Sequence, residues 1–254
     1  MHDDRFFAGL DRVTSVWRDL TLHVPLRYDR IQAIAVLFRS PLEAVRELVP
    51  AGLSPLRWGR KQAVTILSMN RFLDCEIGPY EELVLSTPVA VGSDGLPYLG
   101  LRSFARSGGA LFPHQMVVTT EAALDLGVEI AGYPKHIAGL DFDFDQAEIE
   151  AAWHEEGQSV LSVSFRRPEL VSTDRRSSMD VMTINDGRLL RSTWCTYATQ
   201  EGQVPAKRIR IEFGDHARAS ALRAILGGKC LGATMSARSS GVLSPPVEGW
   251  EIPT

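Results

Sequence analysis

One lysine, Lys135, stands in a run with no other formal charge when His136 is neutral: Ile130-Ala131-Gly132-Tyr133-Pro134-Lys135-His136-Ile137-Ala138-Gly139-Leu140. Lysine is scarce in this chain. The others are Lys61 beside Arg60, Lys207 beside Arg208, and Lys229 after two glycines. Their neighbours suit water, whereas the setting of Lys135 suits burial. An ordinary lysine has a pKa near 10.4, so at pH 7 about one in a few thousand is a neutral amine. Desolvation disfavours the ammonium and can lower that pKa by about 3–5 units. A neutral amine can attack a ketone and form an iminium, an electron sink for a departing carboxylate or for the bond next to an aldol. Pro134 restricts the backbone and Gly132 permits close approach, which helps to aim a side chain. The competing reading is a lysine whose stem lies on the core and whose head stays in water.

Other chemistries lack their residues. The end of a phosphate loop is suggested by Gly227-Gly228-Lys229, but the earlier glycine and the hydroxyl are missing. No GxGxxG follows a strand, and no GxSxG or HExxH occurs. The six histidines are scattered; His114 and His216 are possible ligands, but core or surface histidines are the better expectation. Cys75, Cys195 and Cys230 are odd in number and form no CxxC pair, so free thiols in a reducing compartment are expected. A net charge of -4 argues against a nucleic-acid binder. An apolar fraction of 44% and a charged fraction of 23% are those of a globular protein. No apolar run suits a membrane span, and the expected location is the cytoplasm.

The elements that must carry these residues alternate mostly as strands. Residues 5–19 carry Phe6, Leu10, Val13 and Trp17 at helical spacing and predict an amphipathic N-terminal arm. Residues 31–39 read as a buried strand. Ser40 and Pro41 then predict an N-cap and first turn for a helix over 42–49. Strands are expected over 62–72, 82–91 and 114–119, with a glycine-rich loop over 94–111. Thr120 should cap a helix over 121–129, which Gly132-Tyr133-Pro134 breaks. Leu140, Phe142 and Phe144 interleave with aspartates, and Val160, Val163 and Phe165 return after a turn at 155–158. Ile209, Ile211 and Phe213 predict another strand, followed by a helix over 216–226. Strands that follow one another directly favour an α+β fold, mainly antiparallel. A closed or cone-like barrel with outer helices would remove the exposed edges. The division expected is an N-terminal arm over 1–27 and one domain over 28–254.

Gly132-Tyr133-Pro134-Lys135-His136-Ile137-Ala138 resembles the Schiff-base motif of the acetoacetate decarboxylase family, an aromatic or apolar residue followed by Pro-Lys-Lys. Other segments match in the same order. Val36 to Arg39 with Ala44-Val45-Arg46 and Val49-Pro50 resembles the family's first strand and helix. Gly78-Pro79-Tyr80-Glu81-Glu82 resembles its Gly-x-Tyr-x-Glu stretch. Glu129 stands where a glutamate often precedes the motif, and Asp215-His216-Ala217 resembles an Asp-His-Ala near the end. The resemblance spans about residues 28 to 240. It implies a cofactor-independent lyase acting on a small oxo acid, and a homo-oligomer. It also implies Lys135 as the nucleophile and Glu82 as the acid that orients substrate or moves a proton. Tyr80, His136 and Arg30 are the candidate substrate contacts.

Three departures bear on the substrate. His136 replaces the second lysine of the motif and is a candidate proton shuttle. The strand before Tyr80, at Ile66-Leu67-Ser68-Met69, lacks the family's glutamate. Arg30 is the nearest counterpart of the family's N-terminal arginine, one place out of register, which on a strand turns it to the other face. Decarboxylation is therefore the first expectation and aldolase–dehydratase chemistry through the same iminium the second. A binding protein that kept the fold without turnover is the third.

Overall fold

Ile34, Val36 and Phe38 alternate with Ala33, Ala35 and Leu37, and the two sets face different apolar spaces. The first set is fully buried in the main core. The second lines an internal cavity. A strand covered on both faces reads as a continuous apolar run, which is why this segment shows no polar alternation.

The structure, a computed structural model, describes residues 4–18, 20–91, 104 and 109–251. The loop expected over 94–111 falls largely outside them. In chain order the elements are α1 (Asp4–Phe7), β1 (Val13–Trp17), β2 (Leu20–Val24), β3 (Leu26–Pro41), α2 (Leu42–Arg46), β4 (Leu53–Pro55), β5 (Gln62–Cys75), β6 (Tyr80–Val91) and β7 (Ala110–Val118). There follow α3 (Glu121–Ala131), β8 (Lys135–Ile137), β9 (Gly139–Asp143), β10 (Glu148–Glu155), β11 (Gln158–Arg166), β12 (Val171–Asn185), β13 (Arg188–Pro205), β14 (Arg210–Phe213), α4 (Ala217–Leu226), β15 (Lys229–Leu243) and β16 (Val247–Glu251).

Seven strands close on themselves in the order β5-β3-β15-β13-β12-β7-β6, with β6 returning to β5. Most neighbours are antiparallel; β7 runs parallel to β12 and to β8. Closure leaves the long strands without free edges. The expected antiparallel α+β barrel is what forms. A four-stranded sheet, β14-β11-β10-β9, covers one side of the barrel. Its Phe142, Ile149, Trp153, Leu161 and Phe165 interleave with outward residues of the barrel, including Phe38, Leu67 and Met69, and with Leu222 and Leu226 of α4. The outer layer is thus chiefly a sheet, with helices as its smaller part.

Two local expectations are corrected. Residues 5–19 do not form a helix: one turn, α1, precedes the hairpin β1–β2, where Val13 pairs with Val24 and Trp17 with Leu20. β-Branched Val13, Thr14 and Val16 favour the extended chain, and Val13 and Val16 remain exposed. Ser40 does not cap α2. Its hydroxyl is buried against Thr65 Oγ1 at 2.6 Å, and Pro41 holds the N-cap position without a side-chain bond. The helix also ends earlier than expected, at Arg46.

Candidate active site

Strand alternation sorts the conspicuous residues of β6. Tyr80 and Glu82 point into the barrel, and Glu81 points out, where Arg71 Nε lies 3.3 Å from its carboxylate. Glu82 faces Asn70 across the β5–β6 ladder, and Asn70 also lines the cavity. The missing acid on β5 is real: the inward positions there are Ile66, Ser68, Asn70 and Phe72.

Lys135 arrives from the other side. Thr120 Oγ1 accepts from Ala123 N and starts α3, as its sequence predicted. Gly132 ends the helix at φ +61°, and Tyr133 N donates back to Gly127 O. This left-handed cap reverses the chain, and a Cβ at Gly132 would stand 2.8 Å from Ile184 O, so glycine is required. Pro134 follows, Met116 N donates to Pro134 O, and Lys135 pairs beside Met116 of β7. Its side chain passes along α3 at Gly127 and enters the barrel.

Lys135 Nζ lies 2.9 Å from Glu82 Oε2, with the side chains 6% and 9% exposed. The burial expected for Lys135 is there, together with a carboxylate that composition did not announce. The faces of Tyr80 and Tyr133 lie 5.7 and 5.5 Å from Nζ. Burial, and then nearby charge including that of Glu82, pushes the Tyr80 phenol far up. Burial does the same to Tyr133, whose hydroxyl bonds to Ser192. Both phenols therefore keep their protons at neutral pH. Tyr28, Phe72, Tyr80 and Trp194 pack ring on ring at 4.6–5.1 Å and wall this end of the cavity. The cavity holds about 750 Å³.

Not every expected residue joins the site. Lys61, Lys207 and Lys229 are exposed. His136 follows Lys135 on β8 and turns to the opposite face. There its Nε2 meets Glu155 Oε1 at 2.7 Å, and Trp153 lies against its ring. It is absent from the cavity wall, where a substrate contact was expected. Arg30 is likewise exposed and outside the wall. A bulge in β3 pairs Tyr28 with Cys75, Arg30 with Asp74 and Ile31 with Phe72, so the inward positions pass from Tyr28 to Ile31. Glu129 is on the surface, paired with Arg18. His216 caps α4, and His114 is half-buried beside Thr87. No group of three or more potential metal ligands occurs among the described residues.

A profile of the family Acetoacetate decarboxylase (ADC) matches residues 17–186. The chain belongs to the acetoacetate decarboxylase family. Its structure is similar to that of acetoacetate decarboxylase from Legionella pneumophila subsp. pneumophila str. Philadelphia 1, at 14% identity and TM-score 0.70, covering 89% of this chain and 88% of that one. The enduracididine biosynthesis enzyme MppR complexed with pyruvate is similar at 14% identity and TM-score 0.61, covering 89% and 91%. An acetoacetate decarboxylase-like enzyme from Sphingomonas wittichii RW1 is similar at 14% identity and TM-score 0.58, covering 87% and 92%. No curated protein matches the sequence. Identities this low carry the fold of the family and no more.

Sequence reasoning did not find several wall residues: Tyr133 as a ring beside Nζ, Trp194, and the Arg175–Glu201 pair of β12 and β13. Val171–Asn185 is largely polar because it faces a polar part of the cavity on one side and water on the other. It offers no alternation to read.

Proposed function

We propose that this protein is a lyase that binds a small oxo acid as an iminium on Lys135. The observation that carries this reading is the 2.9 Å contact between Lys135 Nζ and Glu82 in the wall of the barrel's cavity. A buried lysine with a hydrogen-bonded carboxylate has a place to leave its proton when a ketone arrives. The free amine attacks the ketone carbon, and Glu82 returns the proton to the oxygen that leaves as water. The iminium then takes up the electron pair of the carbon–carboxylate bond as CO2 departs. Protonation of the resulting enamine at carbon and hydrolysis by water release the ketone and the amine. The neutral phenols of Tyr80 and Tyr133 are donors for the carbonyl or carbinolamine oxygen.

Decarboxylation is our first reading. A second, aldolase–dehydratase chemistry, is favoured by one observation: β5 offers Ser68 and Asn70 to the cavity where the decarboxylase pattern has an acid. The complex of the structurally similar MppR with pyruvate supports considering it. In that reaction the carboxylate stays, the iminium loses a proton from its α-carbon, and the enamine joins an aldehyde. Incubation with acetoacetate, assayed for CO2 and acetone, tests the first. Incubation with pyruvate and an aldehyde, followed by near-ultraviolet absorbance of a conjugated oxo acid, tests the second. CO2 release from acetoacetate at about 10 per second or more, an ordinary enzyme rate, favours the first outright. Neither product would contradict both readings and leave a binding protein.

We further propose a homo-oligomer, with the β1–β2 hairpin and its exposed Val13 and Val16 at the contact between copies. Sedimentation of the purified chain as a monomer would contradict this.

A further inference from the structure

We infer that Arg175, held by Glu201 and joined by Arg176, is a second pole of the cavity that receives a carboxylate at the far end of an elongated oxo acid. This rests on the reading of Lys135 as the iminium-forming residue. Three relationships support it.

The first is position. Glu82 pairs with Asn70, Asn70 with Ala33, Ala33 with Ser236, and Ser236 with Glu201. Glu201 is thus four strands from Glu82 by that path and three by way of β7 and β12, which on a seven-stranded barrel places the two on opposite walls. At a spacing of about 4.8 Å per strand, the shorter path is roughly 14 Å around the wall.

The second is the hold on Arg175. Its Nε donates to Glu201 Oε2 at 2.7 Å and its Nη2 to Oε1. Glu201 is 9% exposed at the side chain and Arg175 54%, so the carboxylate anchors from inside and the guanidinium stands at the mouth. A guanidinium has five N–H donors, and this side-on grip engages Nε and Nη2, leaving the Nη1 edge for a second acceptor. Arg176 stands beside it, stacked on the ring of Tyr197.

The third is charge. The charged residues of the described wall are Glu82, Lys135, Arg175, Arg176 and Glu201. Three cations stand against two carboxylates, and one anion balances them. At the Lys135 end the charge is already matched by Glu82, so the surplus lies at the Arg175 end. The volume agrees: about 750 Å³ is the scale of a drug-sized ligand and far more than a three- or four-carbon acid fills.

The test uses borohydride trapping on the whole protein with matched ketones. The probes are levulinate, 7-oxooctanoate and 2-octanone, the last having the ketone and chain length of 7-oxooctanoate without its charge. Adduct is measured by intact mass against probe concentration. The expected result is half-saturation at a concentration tenfold or more lower for 7-oxooctanoate than for 2-octanone, the scale of one charge-assisted hydrogen bond. Levulinate, too short to span, should lack that advantage. Arg175→Met should abolish it. Since that variant leaves Glu201 buried without its partner, Arg175→Met combined with Glu201→Gln gives a charge-balanced second case. Equal half-saturation in the unaltered protein, or an advantage that survives both variants, overturns the inference. Trapping by none of the ketones would contradict the iminium reading instead. The pole is then judged by melting temperature: a rise with 7-oxooctanoate that the variants lose supports it, and an equal response in all three overturns it.

Discussion

The stem of Lys135 runs through the space that a Cβ on Gly127 would border: such an atom would lie 2.6 Å from Cδ and 2.7 Å from Cε. The helix that precedes the lysine therefore also shapes the channel through which it reaches Glu82. Gly127 lies inside α3, where glycine costs about 1 kcal/mol relative to alanine. That cost opens the path of the side chain.

Gly127→Ala should accordingly separate activity from stability. The alanine improves helix propensity, and the atoms it meets belong to a flexible side chain, so melting should change little. The amine, however, must be re-aimed, and a displacement of about 1 Å can cost up to about 100-fold in rate. Circular dichroism melting beside turnover checks this. Full activity in the variant would mean that the stem has room to spare.

Glu82→Gln should lower turnover by about 10²–10⁴-fold, the span of a positioned acid or base. Glutamine keeps the shape and can still bond Lys135, so the fold should persist. Steady-state kinetics with the substrate found above, alongside a melting curve, decides it; unchanged kinetics would leave Glu82 a structural partner.

The burial of Lys135 and its motif were legible because local composition acts over a few residues, and Tyr80 and Glu82 were named through the resemblance of Gly78 to Glu82 to the family stretch. What escaped depends on distant neighbours. Arg30 is turned out by a bulge that exists only in the pairing with β5. Ser40 has the residue type of a cap, yet a buried hydroxyl across the strand claims it. Residues 13–17 satisfy a helical spacing by chance, and their β-branched content and the pairing with β2 decide otherwise. Arg175 and Glu201 lie 26 residues apart and meet only across the β12–β13 ladder.

His114 should make the fold sensitive to acid. Burial holds its pKa down at about 4, against 6.5 for an ordinary histidine. Between these values the unfolded chain binds the proton and the folded one does not, so stability is full above pH 6.5 and is lost as pH falls toward 4. The effect is at most roughly 3 kcal/mol for a shift of this size. Chemical denaturation from pH 4 to 7 should show the unaltered protein gaining stability relative to His114→Gln as pH rises. An identical slope in the variant would assign the acid sensitivity elsewhere.

Glu81 should act in the opposite sense. Burial raises its carboxyl to about 7, despite Arg71. Between about 4.5 and 7 the folded state holds the proton that the unfolded state has released, so this group makes stability fall as pH rises through that window. Relative to the unaltered protein, Glu81→Gln should melt higher at pH 8 than it does at pH 5. A constant difference between the two pH values would contradict this.

The central claim, that Lys135 is the amine that binds the oxo acid, is tested most directly by borohydride reduction with pyruvate or acetoacetate, followed by intact mass and peptide mapping. The predicted result is one reduced adduct per chain, on Lys135, and none in a folded Lys135→Ala protein. An adduct on Lys61, Lys207 or Lys229, or turnover that survives Lys135→Ala, would contradict it.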